Sequence, residues 1–287
     1  MSPQPIRILF HAGFHKTGTT SLQASLAAHA AWLAPDILVE TRALSKRLAV
    51  AADSARRYSE RLTATGLQAL HSDLADWAAA LPLRLGQTLV VSSEDFAGHM
   101  PGNLKIRDYS AAIPIATAIA TVLHRQFGAT LDLTLLYTTR DPEPWIRSIH
   151  WQLAKHHRPD ISIGTFTRLF GSAADFAPLI AAIRAAVPGA KVADAALERM
   201  QSLRLGPAGA IYDLLRLDAS LQDTLPPKPP SNQSPPYDLA EAFMALNRVG
   251  MPRATLTRVK RAILGAVEAD RDNAGRDKAG RDVPESV

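Results

Sequence analysis

No cysteine occurs among the 287 residues, which excludes a disulfide framework, a thiolate zinc site, an iron–sulfur cluster and a cysteine nucleophile. Aromatic residues are scarce at 6%, and no Lys/Arg block is interleaved with them. The excess of 32 Lys+Arg over 27 Asp+Glu is scattered, and a small anionic ligand explains it as well as nucleic acid does; no nucleic-acid partner is expected. Long apolar runs are missing too. The longest, Ala111 to Leu123, is short for a membrane span and contains Pro114, Thr117 and Thr121, so no span is expected. The first five residues lead directly into Ile6–Phe10, which lacks the length and small-residue cleavage site of a signal peptide. A cytoplasmic protein is expected, with either one large α/β domain or two small ones.

What is present alternates between short apolar runs and helical periodicity. Ile6 to His11 runs into Ala12-Gly13, and from Thr19 to Leu26 the spacing of Leu22 and Leu26 is helical, giving strand, tight loop, helix. Within Ser54–Leu81, the residues Leu67, Leu70, Leu74, Trp77 and Leu81 share one helical face and form a core-facing stripe. Gln87 to Val91 is a second β-prone run, ended by Ser92-Ser93-Glu94-Asp95. Tyr109 to Phe127 predicts a long apolar helix, stopped by Gly128, and Leu131 to Thr138 a third strand. Arg140-Asp141-Pro142 then opens another helix, with Asp141 as N-cap and Pro142 in the first turn. Three strands each feeding a helix predict a parallel sheet with crossover connections.

The second half is predicted mainly helical, with an edge strand around Lys191–Ala193. A break falls at Leu225–Pro236, where six of twelve residues are proline. From Glu268 onward four basic and six acidic residues surround a repeated Ala-Gly-Arg-Asp, a composition that predicts disorder. The expected organisation is one domain over residues 1–267 and a disordered tail over 268–287.

The first loop carries the chemistry. In Gly13-Phe14-His15-Lys16-Thr17-Gly18-Thr19-Thr20, two glycines permit close backbone approach while successive amides and a helix N-terminus face one point, which suits an anion. A Walker A loop places lysine directly after the second glycine; here Lys16 lies inside the loop and Thr19 takes that place. No clear Walker B strand accompanies it, Val90-Val91-Ser92-Ser93-Glu94 being the nearest. The fold expected is therefore α/β, a P-loop NTPase-like parallel sheet flanked by helices with a helical C-terminal part, and the loop a cousin of the NTPase loop.

The run from His11 to Gln23, with its Lys-Thr-Gly-Thr-Thr core, resembles the 5′-phosphosulfate loop of sulfotransferases that use 3′-phosphoadenosine 5′-phosphosulfate (PAPS). A second block, Tyr137-Thr138-Thr139-Arg140-Asp141-Pro142 followed by Ser148, resembles the same family's 3′-phosphate site. The resemblance implies PAPS as co-substrate, held by His15, Lys16, Thr17, Gly18, Thr19, Thr20, Arg140 and Ser148, transfer to an acceptor hydroxyl, and no metal. Independently of the family, Arg140 at a strand's carboxyl end is placed to fork onto phosphate oxygens. The plainer alternative makes the glycines a tight turn and pairs Arg140 with Asp141 or Glu143.

Sulfuryl transfer needs the acceptor proton removed and the leaving phosphate neutralised. Lys16 and the loop amides suit the second task. Glu94 is the expected base, since related enzymes place a catalytic His or Glu near the end of a neighbouring strand. The competing readings are that Glu94 holds Lys16 or caps the next helix, with His15 and His99 as the other bases. Ser231-Asn232-Gln233-Ser234 resembles a late nucleotide-covering segment of bacterial members, with Lys228 in reach of a phosphate, or is an inert connector. His150, Trp151, Lys155, His156, His157 and Arg158 either line an acceptor cleft or complement a helix dipole. A carbohydrate or other small acceptor is expected. A kinase using ATP and magnesium, or an inactive nucleotide-binding module, are the alternatives.

Overall fold

A computed structural model of the chain describes residues 4–103, 106–156, 161–227 and 237–279. The first expected strand–loop–helix forms β1 (Ile6–His11) and α1 (Thr19–Leu33). A strand not anticipated follows, β2 (Ile37–Thr41), and then two helices, α2 (Lys46–Arg61) and α3 (Ala64–Ala79). They are parted at Leu62, where φ is 51°, and α3 restarts under a Thr63 cap whose hydroxyl accepts from the Gly66 amide at 3.1 Å. Leu70, Leu74 and Trp77 are buried, as the stripe predicts. Next come β3 (Thr88–Ser92), α4 (Ala112–Phe127), β4 (Leu131–Thr139), α5 (Pro142–Lys155), α6 (Ile163–Phe170), α7 (Phe176–Ala186) and β5 (Lys191–Ala196). Helices α8 (Leu197–Met200), α9 (Pro207–Leu215), α10 (Ala219–Thr224), α11 (Tyr237–Arg248) and α12 (Arg253–Ala279) complete the described chain.

The strands form one parallel sheet in the order β2-β3-β1-β4-β5. Strand β1 is central, and the chain leaves it for β2 on one side and later crosses over it from β3 to β4. The carboxyl end of β1 is thus the point where connections diverge, the place where open α/β sheets bind ligands. Because side chains alternate across a strand, register sorts them onto two faces. Leu9, Val90 and Leu136 join Leu22 and Leu26 of α1 and Ile211 and Tyr212 of α9 in one buried cluster. On the other face Phe10 meets Trp77 at 5.9 Å and Phe96 at 4.9 Å, both edge-on.

The chain divides into two compact units, Met1–Ile149 with Thr167–Asn232, and His150–Phe166 with Gln233–Val287. The second has its own small core of Trp151, Ala154, Ala240, Phe243 and Met244. There the buried Lys260 ammonium donates to the Ala154 carbonyl and the Asn247 amide oxygen, and burial pushes its pKa down to about 8. Where sequence composition predicts one domain to residue 267 and a disordered tail from 268, helix α12 continues to Ala279. The stretch Ile163–Ala186 is long and apolar enough by composition to cross a membrane. Its helical path is broken by a 3-10 turn at Gly171–Ala174, and Arg168, Asp175 and Arg184 lie along it.

Candidate functional site

The loop between β1 and α1 is built to present amides. Gly18, the N-cap of α1, sits in the left-handed region at φ 91°, and no side chain caps the helix. The first-turn amides and the positive end of the helix dipole are therefore left open. Lys16 also adopts left-handed geometry, φ 68°, a conformation that disfavours a residue with a Cβ and that the surroundings must hold in place.

What holds it is visible at three consecutive carbonyls. The Thr17 hydroxyl donates to the Phe14 carbonyl at 2.5 Å. The Trp145 indole donates to the His15 carbonyl at 2.9 Å, and the Arg140 guanidinium to the Lys16 carbonyl at 3.2 Å. Each acceptor dipole of the loop is thus satisfied by a side chain from α1's lead-in, α5 or the end of β4. These bonds from the protein's own side chains fix the loop's shape, which is pre-organisation.

Around the loop mouth the titratable residues converge. Glu94 starts the 3-10 turn after β3, and its carboxylate accepts from the Gln23 amide of α1 at 2.5 Å. Burial pushes the His15 imidazole well below its ordinary value; Glu94 pulls it back up, while His99, Arg56 and Lys16 push it further down. His15 lies flat over Tyr109, with ring planes 10° apart, and the Tyr109 hydroxyl accepts from the His15 amide at 3.2 Å. Asp95 faces away into an ion network, 2.8 Å from Arg42 and 3.7 Å from Arg56.

Lys16, Thr17, Gly18, Thr19, Thr20 and His15 therefore share one loop with Arg140 bonded to it. The Thr17 hydroxyl, however, is buried and turned inward, so Thr17 offers a ligand its backbone amide only. Thr19 is buried and Thr20 exposed. Ser148 is buried on α5, three residues after Trp145. Among the described residues Arg140 forms no ion pair with Asp141 or Glu143; Glu143 takes Arg147 at 2.9 Å.

The expected rival base His99 has both ring nitrogens engaged, by Glu60 at 3.0 Å and Asn103 at 3.3 Å. His150, expected in a polar helix end, is buried with Nε2 donating to the Ile161 carbonyl at 2.9 Å. Lys155 lies over the Trp151 ring at 5.4 Å. His157, Arg158, Lys228 and Ser231 to Ser234 lie outside the described residues. Sequence reading missed Tyr109 and Trp145, whose roles depend on long-range packing, and gave Gln23 no role although it closes the recognised run.

No protein-family model matches the chain, and no curated protein sequence is similar to it. Among solved structures, a sulfotransferase from Alicyclobacillus acidocaldarius overlaps 83% of this chain and 91% of its own, with 15% identity and a TM-score of 0.43. A structure from the PezAT chromosomal toxin–antitoxin system of Streptococcus pneumoniae overlaps 85% of this chain and 87% of its own, with 12% identity and a TM-score of 0.30. At these TM-scores neither superposition transfers a role to any residue.

Proposed function

We propose that the chain is a sulfotransferase that moves the sulfuryl group of PAPS to the hydroxyl of a small-molecule or carbohydrate acceptor. The observation that carries this reading is the Arg140–Lys16 hydrogen bond of 3.2 Å. It sets side by side, at the carboxyl edge of the sheet, two sequence blocks separated by more than a hundred residues. The residues present fit the group: an uncapped helix N-terminus and Lys16 for one phosphate, and Arg140 with Ser148 for another.

When bound, PAPS supplies the sulfuryl group and the leaving phosphate. Lys16 and the first-turn amides of α1 hold the 5′ side and neutralise charge that grows as the leaving group departs. Among the described residues Arg140 spends one of its five N–H donors, on Lys16, which leaves enough to fork onto a phosphate. Glu94 takes the acceptor's proton; Gln23 uses one of its lone pairs and fixes its direction.

Calorimetric titration without magnesium, with 3′-phosphoadenosine 5′-phosphate and in parallel with ADP, tests the reading. Binding of the first with clear preference over the second supports it. A preference for ADP, or a requirement for magnesium, overturns it in favour of a kinase using ATP.

A further inference from the structure

Beneath the loop lies a buried polar chain that the functional reading does not use. Strand alternation places Leu9, Val90 and Leu136 on the α1 face of the sheet, and two residues further along each strand stand His11, Ser92 and Thr138 on that same face. All three are at most 1% exposed, as is Thr17. His11 Nδ1 is 2.8 Å from Ser92 Oγ, and His11 Nε2 is 3.1 Å from Thr138 Oγ1. Thr138 Oγ1 is 2.6 Å from Thr17 Oγ1, which bonds the Phe14 carbonyl at 2.5 Å.

Donor counting gives every bond a direction. The Phe14 carbonyl only accepts, so the single Thr17 hydroxyl proton points at it. Thr17 therefore accepts from Thr138, whose own proton is thereby used. Thr138 must then accept from His11, and the ring nitrogen facing it bears a hydrogen. The relay also touches the loop directly, since a Cβ placed on Gly13 would collide with His11 Nε2 and Thr138 Oγ1.

We propose that His11 is a positioning residue of the anion-binding loop, carrying its hydrogen on Nε2 and setting the Phe14 carbonyl through Thr138 and Thr17. Ser92 completes the chain by donating to Nδ1. Burial, which pushes the His11 imidazole down to about 4 against a smaller upward pull from Glu94, leaves one ring hydrogen at neutral pH. A directed chain of this kind strengthens itself bond by bond and turns the first of the three loop carbonyls away from the ligand. Its effect on binding rests on the reading of this loop as the nucleotide site.

The test has two arms. In the nucleotide-free protein at pH 7, long-range proton–nitrogen NMR correlations, assigned by comparison with His11→Gln, report the Nε2–H tautomer. In calorimetry with 3′-phosphoadenosine 5′-phosphate, Thr138→Val binds about tenfold more weakly, as for loss of one buried hydrogen bond, and Thr138→Ser restores the affinity. An Nδ1–H tautomer, a doubly protonated ring, or Thr138→Val with unchanged affinity overturns the proposal. If the wild-type protein does not bind the nucleotide, the functional reading alone fails, and the tautomer decides the relay.

Discussion

Single residues at this site do separable work. Glu94, steered by Gln23 at 2.5 Å, is assigned the proton and not the nucleotide, so Glu94→Gln keeps the hydrogen-bonding shape and loses the base. Turnover falls by about 10²–10⁴, the usual worth of a positioned base, while affinity for 3′-phosphoadenosine 5′-phosphate changes by no more than about twofold. Retained turnover would move the proton to His15. His11 makes a prediction about stability. Its folded pKa of about 4 lies below the ordinary histidine value of about 6.5, so the folded state binds fewer protons between the two. The stability it contributes is complete above pH about 6.5 and is lost as the pH falls toward 4, by up to about 3 kcal/mol. Chemical denaturation across that window should show a smaller loss in His11→Gln than in the wild type; parallel curves would contradict it.

Between elements, the loop is held by what packs behind it, and helix α5 matters most. Trp145 is fully buried, meets Phe176 edge-on at 5.4 Å and reaches the His15 carbonyl with its indole. Trp145→Phe keeps an aromatic body there and removes the donor, so nucleotide affinity drops about fivefold, in line with one hydrogen bond. Binding indistinguishable from wild type would detach α5 from the site. The elements that sequence made legible are those with strong local patterns. Strands β1, β3 and β4 are central and buried on both faces, so they read as continuous apolar runs. Strand β2 is an edge strand of five residues whose apolar run Ile37-Leu38-Val39 is as long as that of β3 but which sequence reading missed. The break between α2 and α3 is made by Leu62 and a threonine cap with neither glycine nor proline to announce it. The two blocks proposed to hold phosphates are each contiguous in the sequence, and so could be singled out there. The relay was not, since residues 11, 17, 92 and 138 are joined only by strand register.

At the scale of the whole molecule, one topological feature assembles the site. Strand β1 lies between β3 and β4, so the residues following all three strands meet at one edge: the loop from β1, Glu94 from β3 and Arg140 from β4. A basic surplus of 32 over 27 charged side chains favours an anionic ligand there without specifying it. In the proposed reading the loop and Arg140 hold two different phosphates of one nucleotide. Titrating the wild type and Arg140→Ala with 3′-phosphoadenosine 5′-phosphate and with adenosine 5′-phosphate separates the two. The wild type is expected to discriminate strongly in favour of the 3′-phosphate, and Arg140→Ala to bind the two nucleotides nearly alike. Equal affinities in the wild type, or discrimination that survives in Arg140→Ala, would contradict it.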